Sequence, residues 1–293
     1  MNSRGSLLIV TLWIVAILSA LAVSIGRSLS IETRLTKLRL ARQEAEALAR
    51  GAVLAAVELL QDDAEAGSVD WGGEAWAAPR VLTPGEGQQV TVTVTDEERK
   101  LSLAGLTEAQ LQQLIPNGQT VRAFLDWQDA ADPAENDPPF YPKNAPVESP
   151  EELNELPGMT ADDYARVLTV ATPYTVAGTP TNLNTVTPEA LQILGVSVPA
   201  IQQITQFRDG PDGPDLHEAD GYFTHETMID TLRGLGISDA DINLVTGLGD
   251  ASLTFTVVAE AVLERPFARA RIEAVVRRSA GGAEYPRIIA WRQ

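Results

Sequence analysis

The sequence predicts an α+β protein: one long N-terminal helix packed on an antiparallel sheet, with a large all-helical segment inserted between the strands. Three observations carry that prediction. An apolar run at the N-terminus passes without a break into a one-faced helical pattern, strand patterns occur near residue 90 and again only after residue 250, and the stretch between them repeats a short helix-turn-helix pattern.

From Ser6 to Ile25, SLLIVTLWIVAILSALAVSI contains no charge, and at about 1.5 Å per residue such a helix is long enough to cross the apolar core of a bilayer. A retained anchor and a cleavable secretory signal both meet membrane, and Ala20-Leu21-Ala22 has the small-residue spacing that a signal peptidase accepts. The continuation favours the anchor. Ile31, Leu35, Leu38, Ala45, Leu48, Ala52, Ala56 and Leu59 keep the spacing of one helical face, and between Ser28 and Gln61 there is no proline and no glycine except Gly51. A single helix over residues 6–61 is predicted, apolar all round at first and amphipathic later, its upper half packed on a globular head. The charge count points the other way. Arg27, Arg34, Lys37, Arg39, Arg42 and Arg50 follow the span and only Arg4 precedes it, which by the positive-inside rule leaves the body in the cytoplasm.

Gln61 to Gly87, rich in Asp, Glu, Gly and Pro, reads as an irregular connection. Gln89 to Thr95 alternates polar and β-branched residues, and Asp96-Glu97-Glu98 offers a turn into Lys100–Ala104, so a hairpin is predicted there. Strand patterns return at Leu253–Leu263, Ala268–Ser279 and Pro286–Arg292, with Arg265-Pro266 and Gly281-Gly282 as turns. Residues 62–105 with 251–293 then form the head, and residues 106–250 the helical insertion.

The insertion echoes itself. Ser149-Pro150-Glu151-Glu152-Leu153 leading to Gly158 is answered by Thr187-Pro188-Glu189-Ala190-Leu191 leading to Gly195, and more loosely by Thr224 to Gly236. Each copy has a capping residue, an early acid, spaced leucines and a glycine suited to the left-handed helix C-cap. These are helix-hairpin-helix-like units, a form commonly used to hold DNA phosphates. Here Thr160 stands where the second glycine of that pattern falls, neither of the first two turns carries Lys or Arg, and Asp162, Asp163, Asp239 and Asp241 lie close by. A structural or protein-binding role is therefore expected, with no nucleic acid as partner.

The overall charge agrees. Lys plus Arg total 22 against 40 Asp plus Glu, a net charge of −18, which repels polyphosphate and favours cations or basic partners. With no cysteine, disulfides and thiolate zinc sites are excluded. The densest acidic stretch carries Asp126, Asp129, Asp132, Glu135 and Asp137 into Pro138-Pro139-Phe140-Tyr141-Pro142. Carboxylates three residues apart at a helix end can converge on one hard cation such as calcium. A solvated acidic turn explains the same letters equally well. The similar Asp209–Asp215 loop reads as ordinary Asp-Gly and Gly-Pro turn chemistry. No catalytic constellation is present in the sequence: the two histidines, His217 and His225, do not form HExxH, and there is no phosphate-binding GxxxxGK[ST]. An enzyme is not expected.

Taken together, these residues resemble pseudopilin K, the large minor pseudopilin of type II secretion systems. Arg4-Gly5 followed at once by the apolar run is similar to the short leader that prepilin peptidase cuts after glycine, which makes Gly5 and Ser6 the processing site, residues 1–5 the leader and Ser6 the methylated mature start. Most pilin-like proteins carry glutamate at mature position five; Val10 stands there, a departure typical of pseudopilin K, since a glutamate without a partner is costly in the membrane. The resemblance extends through the Asp126-Trp127-Gln128-Asp129 segment, Asn182-Leu183-Asn184-Thr185 and the closing strands. It implies a pilin-like fold and a tip-capping role with minor pseudopilins I and J, below which pseudopilin H and the major pseudopilin G assemble. It further implies a single-pass inner-membrane protein with a periplasmic head, and calcium held by Asp126, Asp129, Asp132, Glu135 and Asp137. The alternatives from other classes are a membrane-anchored helix-hairpin-helix protein that binds DNA and a secreted hydrolase.

Overall fold

The computed structural model describes residues 3–66, 69–129, 142–175, 178–210 and 221–293. Helix α1 runs unbroken from Ser3 to Ala66. From Val10 to Leu40 every residue is exposed; the first buried one is Ala41, followed by Ala45, Ala49, Ala52, Val53, Ala56, Val57 and Leu60. The buried stripe is thus mostly alanine, and Ile31, Leu35 and Leu38, expected on the packed face, lie below the head and are exposed.

The helix crosses a five-stranded antiparallel sheet made of β1 (Arg80–Leu82), β2 (Gln88–Asp96), β5 (Thr254–Glu264), β6 (Phe267–Arg277) and β7 (Arg287–Arg292), in that order. Along β5 burial alternates, with Phe255, Val257, Ala259, Ala261 and Leu263 turned to the helix. Register sets Val92 against Ala259 and Ala259 against Ile272, so one apolar face is continuous across the three central strands. Alanines on both sides let the helix backbone lie close to the sheet.

The predicted hairpin does not form. β2 pairs with β1 and β5, while Leu101–Ser102 (β3) pairs in parallel with Ala171–Thr172 (β4) in a separate two-stranded ladder. Asp96, Glu97 and Glu98 are accordingly no solvated turn; they are 2%, 6% and 0% exposed. The connection after α1 was expected to be irregular throughout, yet it contributes the edge strand β1.

Between β3 and β5 lie α2 (Glu108–Leu114), α3 (Gly118–Gln128), a 3₁₀ turn (Pro150–Glu155), α4 (Ala161–Val170), α5 (Pro188–Ile193), α6 (Val198–Asp209), α7 (Met228–Gly234) and α8 (Asp239–Val245). These short helices share an apolar core of their own around Leu111, Phe124, Leu153, Leu191, Ile204 and Leu232. A separate core joins α1 to the sheet, and the two have no buried residue in common. Among the described residues no helix of the insertion is long enough to be stable alone in water; burial of their shared core holds them.

Candidate functional site

The lower part of α1 is the first functional feature. Its Val10–Asp63 portion contains a window of mean hydropathy 2.0, long and apolar enough to cross a membrane. Gly5 and Ser6 lie within the first turns of α1, and Val10 is exposed. A helix exposed on every side over residues 10–40 needs lipid or neighbouring helices around it.

The hairpin units form as the repeats suggest. Gly158, Gly195 and Gly236 all take positive φ, at 78°, 90° and 79°. In the second unit Gly195 N–H donates to Gln192 O (3.0 Å) and Val196 N–H to Leu191 O (3.1 Å), and in the third Gly236 and Ile237 repeat the pair on Arg233 and Leu232. This is the Schellman closure, with buried Val196 and Ile237 as its apolar lock. Two residues after each glycine stands the N-cap of the next helix: Thr160, Ser197 and Ser238. Acids then occupy those helix starts. Asp163 accepts from Thr160 Oγ1 at 2.7 Å, and Asp241 accepts from Ser238 Oγ at 2.7 Å, from Ser197 N–H at 2.8 Å and from Ser197 Oγ at 2.9 Å. The Ser197 amide bond above all, with the serine hydroxyls, holds Asp241 below the usual carboxylate range. Two of the helix starts that would receive a phosphate are therefore already filled by carboxylates of this chain.

Of the five predicted calcium ligands, Asp126 and Asp129 are at the C-terminal end of α3, three residues apart; Asp132, Glu135 and Asp137 lie outside the described residues. The α3 end is anchored by Trp127 Nε1, which donates to Glu152 Oε2 (3.2 Å), and Glu152 in turn pairs with Lys143 at 3.3 Å. His225 is near the junction described next, its backbone N–H donating to Asp250 Oδ2 at 2.6 Å, and His217 is outside the described residues.

That junction is the feature sequence reasoning missed. Where the insertion leaves and rejoins the sheet lie four buried acids, Asp70, Asp96, Glu97 and Glu98, three of which, Asp70, Asp96 and Glu98, are bonded to one or more of Arg278, Asn182 and Ser252. Arg278 bonds Asp70 and, at 2.7 Å, Asp63, while its Nε donates to Ser252 O at 3.1 Å and its guanidinium lies 4.8 Å from the Phe255 ring centre. Burial works against the Arg278 charge, but Asp70 and Asp63 outweigh it. Asp96 Oδ2 accepts from Thr185 Oγ1, from Ser252 Oγ at 2.6 Å and from Asn182 Nδ2 at 3.3 Å. Glu97 bridges Thr172 Oγ1 and Thr256 Oγ1, tying β4 to β5.

Burial pushes Asp70 up to about 6 against the pull of Arg278, and pushes Asp96 up as well. It lifts Glu74 to about 7, helped by repulsion from Asp63 and opposed by bonds from Trp71 N–H (3.1 Å) and Trp76 Nε1 (2.8 Å). Among the described residues, Asp63, Asp70 and Glu74 are the one trio of acids whose oxygens converge, within 4.8 Å, and Arg278 already supplies the cation for two of them. The sequence signals nothing of this cluster, because its members come from positions 63 to 278.

No protein-family model and no curated protein sequence matches the chain. In solved structures, it is similar to a chain of the GspK-GspI-GspJ complex from the type 2 secretion system of enterotoxigenic Escherichia coli, with a TM-score of 0.67 at 16% identity, over 88% of this chain and 98% of that one. At that identity the likeness speaks to architecture alone: the fold of this chain is GspK-like.

Proposed function

We propose that this chain is the large minor pseudopilin, pseudopilin K, at the tip of a type II secretion pseudopilus, a structural component rather than an enzyme. The observation that carries the reading is α1: one helix whose lower portion is exposed on every side and whose upper portion lies on the sheet of a GspK-like head. A membrane-spanning pole that must pack against other helices, joined to a head too broad to be overlaid, suits the last member of a helical stack.

In this reading the helix is a single-pass inner-membrane anchor and the head is periplasmic. Minor pseudopilins I and J are its partners, a reading supported by the matching structure, which is a complex of GspK with GspI and GspJ, and pseudopilins H and G are added below. Val10 fits the topmost position, since a glutamate there finds no neighbouring amino terminus above it. Prepilin peptidase cuts between Gly5 and Ser6.

The carboxylates of Asp126 and Asp129 at the α3 end suit a hard cation, because the helix carbonyls there add negative potential. Calcium would be held by these two with Asp132, Glu135 and Asp137, and would relieve their mutual repulsion. The carboxylates already capping α4 and α8 support a reading without nucleic acid.

Amino-terminal sequencing of the protein from cells with and without prepilin peptidase tests the proposal. A peptidase-dependent start at Ser6 is expected. A start at Val23 in a soluble fraction, or an uncut chain regardless of peptidase, overturns it and returns the secreted or ordinary membrane-anchored readings.

A further inference from the structure

Glu98 sits where β2 has ended and the chain enters the insertion, and it is fully buried. Its groups tie three passages of chain together. The backbone oxygen accepts from Asn182 N–H at 2.9 Å, the backbone N–H donates to Asp96 Oδ1 at 2.7 Å, and the carboxyl Oε2 accepts from Thr254 N–H at 2.9 Å, where the insertion has just rejoined the sheet. Entry and exit of the insertion thus meet at one side chain.

The other carboxyl oxygen is out of balance. Oε1 of Glu98 is buried without a hydrogen-bond donor, and so is Oγ1 of Thr254 without a partner. An ionised carboxylate leaves that oxygen as an unsatisfied buried anion, with Asp96, also buried, interacting side chain to side chain. Arginine does not come to its aid: Arg278 is engaged by Asp70 and Asp63, Arg208 by Asp209, and among the described residues Arg99, the next residue in the chain, has no bond to it. Asp96 receives three side-chain donors and one backbone N–H, so the negative charge belongs there. A proton on Glu98 Oε1 turns the orphan acceptor into a donor toward Asp96 and removes the like-charge pair.

We propose that Glu98 is held as a neutral carboxylic acid and acts as a proton-controlled latch: protonated, it fastens the helical insertion to the sheet; ionised, it loosens that junction. The inference rests on the junction and is independent of the secretion reading. Asp96 at the end of β2 faces the latch directly; the other titratable and charged groups of the junction are Glu97 beside it, Asp70 from the connection after α1, Asp63 of α1, and Arg278 after β6. Glu97 is held by two threonine hydroxyls and Asp63 and Asp70 by Arg278, which leaves Asp96 as the group that opposes Glu98 ionisation. Burial, with the Asp96 charge second, raises Glu98 to about 8. A group raised in the folded state from its ordinary 4.5 stabilises fully below about 4.5, and that contribution is lost as pH rises through about 8.

The test uses the full chain in detergent, with unfolding equilibria from pH 5 to 8.5 and infrared detection of protonated carboxyl groups. Glu98→Gln, which keeps an acceptor and gains a permanent donor, is expected to flatten the pH dependence. The wild-type unfolding constant should climb up to about tenfold per pH unit more steeply, one proton's worth, and the variant should lose a protonated-carboxyl band seen at pH 7. Asp96→Asn, which removes the opposing charge, should shift the midpoint of that band to lower pH. Exchange of the Asn182 and Thr254 amide hydrogens should accelerate above pH 8 in wild type beyond the intrinsic base-catalysed rate. Parallel pH curves for wild type and Glu98→Gln, or a band unmoved by Asp96→Asn if the first variant does not fold, would overturn the latch.

Discussion

Asn182 Nδ2 donates to the Asp70 backbone oxygen across 2.9 Å, although 112 residues separate the two in sequence. The same amide reaches Ser252 Oγ at 2.9 Å and Asp96 Oδ2 at 3.3 Å, so two hydrogens serve three acceptors and the longest contact is shared. Asn182→Ala removes all of them and strands buried acceptors, so a loss of about 1–3 kcal/mol is expected. Urea denaturation should show a lower midpoint with unchanged slope. A midpoint within error of wild type would mean that water takes the amide's place.

At Gly195 the backbone is at φ 90°, and an added Cβ would meet nothing closer than Leu244 Cδ1 at 3.9 Å. Space is available and conformation is not. Gly195→Ala should therefore cost about 1–2 kcal/mol from backbone strain alone. Gly118, at the start of α3, has an ordinary φ and open space, so Gly118→Ala should not destabilise. Thermal unfolding of the pair separates strain from crowding.

Glu74 gives a second pH signature. Its carboxyl is raised by burial and by Asp63 from 4.5 to about 7, so it binds a proton in the folded state that the unfolded chain releases. Its contribution to stability is present below about 4.5 and falls away as pH rises through about 7. Glu74→Gln should be less sensitive than wild type to a change from pH 5 to 7.5 in melting temperature. Equal shifts in both proteins would exclude a role for Glu74.

Calcium should raise the melting temperature of the wild-type chain in a concentration-dependent way, since a ligand that binds only the folded state stabilises it by mass action. Asp126→Asn combined with Asp129→Asn should abolish most of that response, because both exposed carboxylates stand at the C-terminal end of α3. A wild-type protein whose melting is indifferent to calcium would remove the metal from the proposal.

Much of the architecture was legible because its signals are local. The uncharged run and the continuing helical period mark α1, alternation marks β2, β5 and β6, and the repeated cap-to-glycine spacing marks the hairpins, whose glycines take the left-handed conformation that the repeat calls for. The misreadings have a common origin. Asp96-Glu97-Glu98 has the composition of a turn, and Arg80–Leu82 has too few residues to show a period; each acquires its structure from a strand or helix far along the chain. Which face of α1 is buried was only partly legible, since leucines and alanines share the helical period and the sheet selects the smaller side chains.

The membrane-length helix, the strand-rich ends, the helical middle and the acidic, cysteine-free character follow from residue type at short spacing and are present in the sequence before any folding. The pairing of β2 with β5, and the convergence of acids from the α1 end and the β2 end with Arg278 at the neck of the insertion, exist only once distant segments are packed together. Burial, which raises the affinity of Glu98 for a proton, is a property of the whole fold: Asn182 and Thr254, far along the chain, bond the residue where the insertion meets the sheet, and no window of neighbouring residues records it.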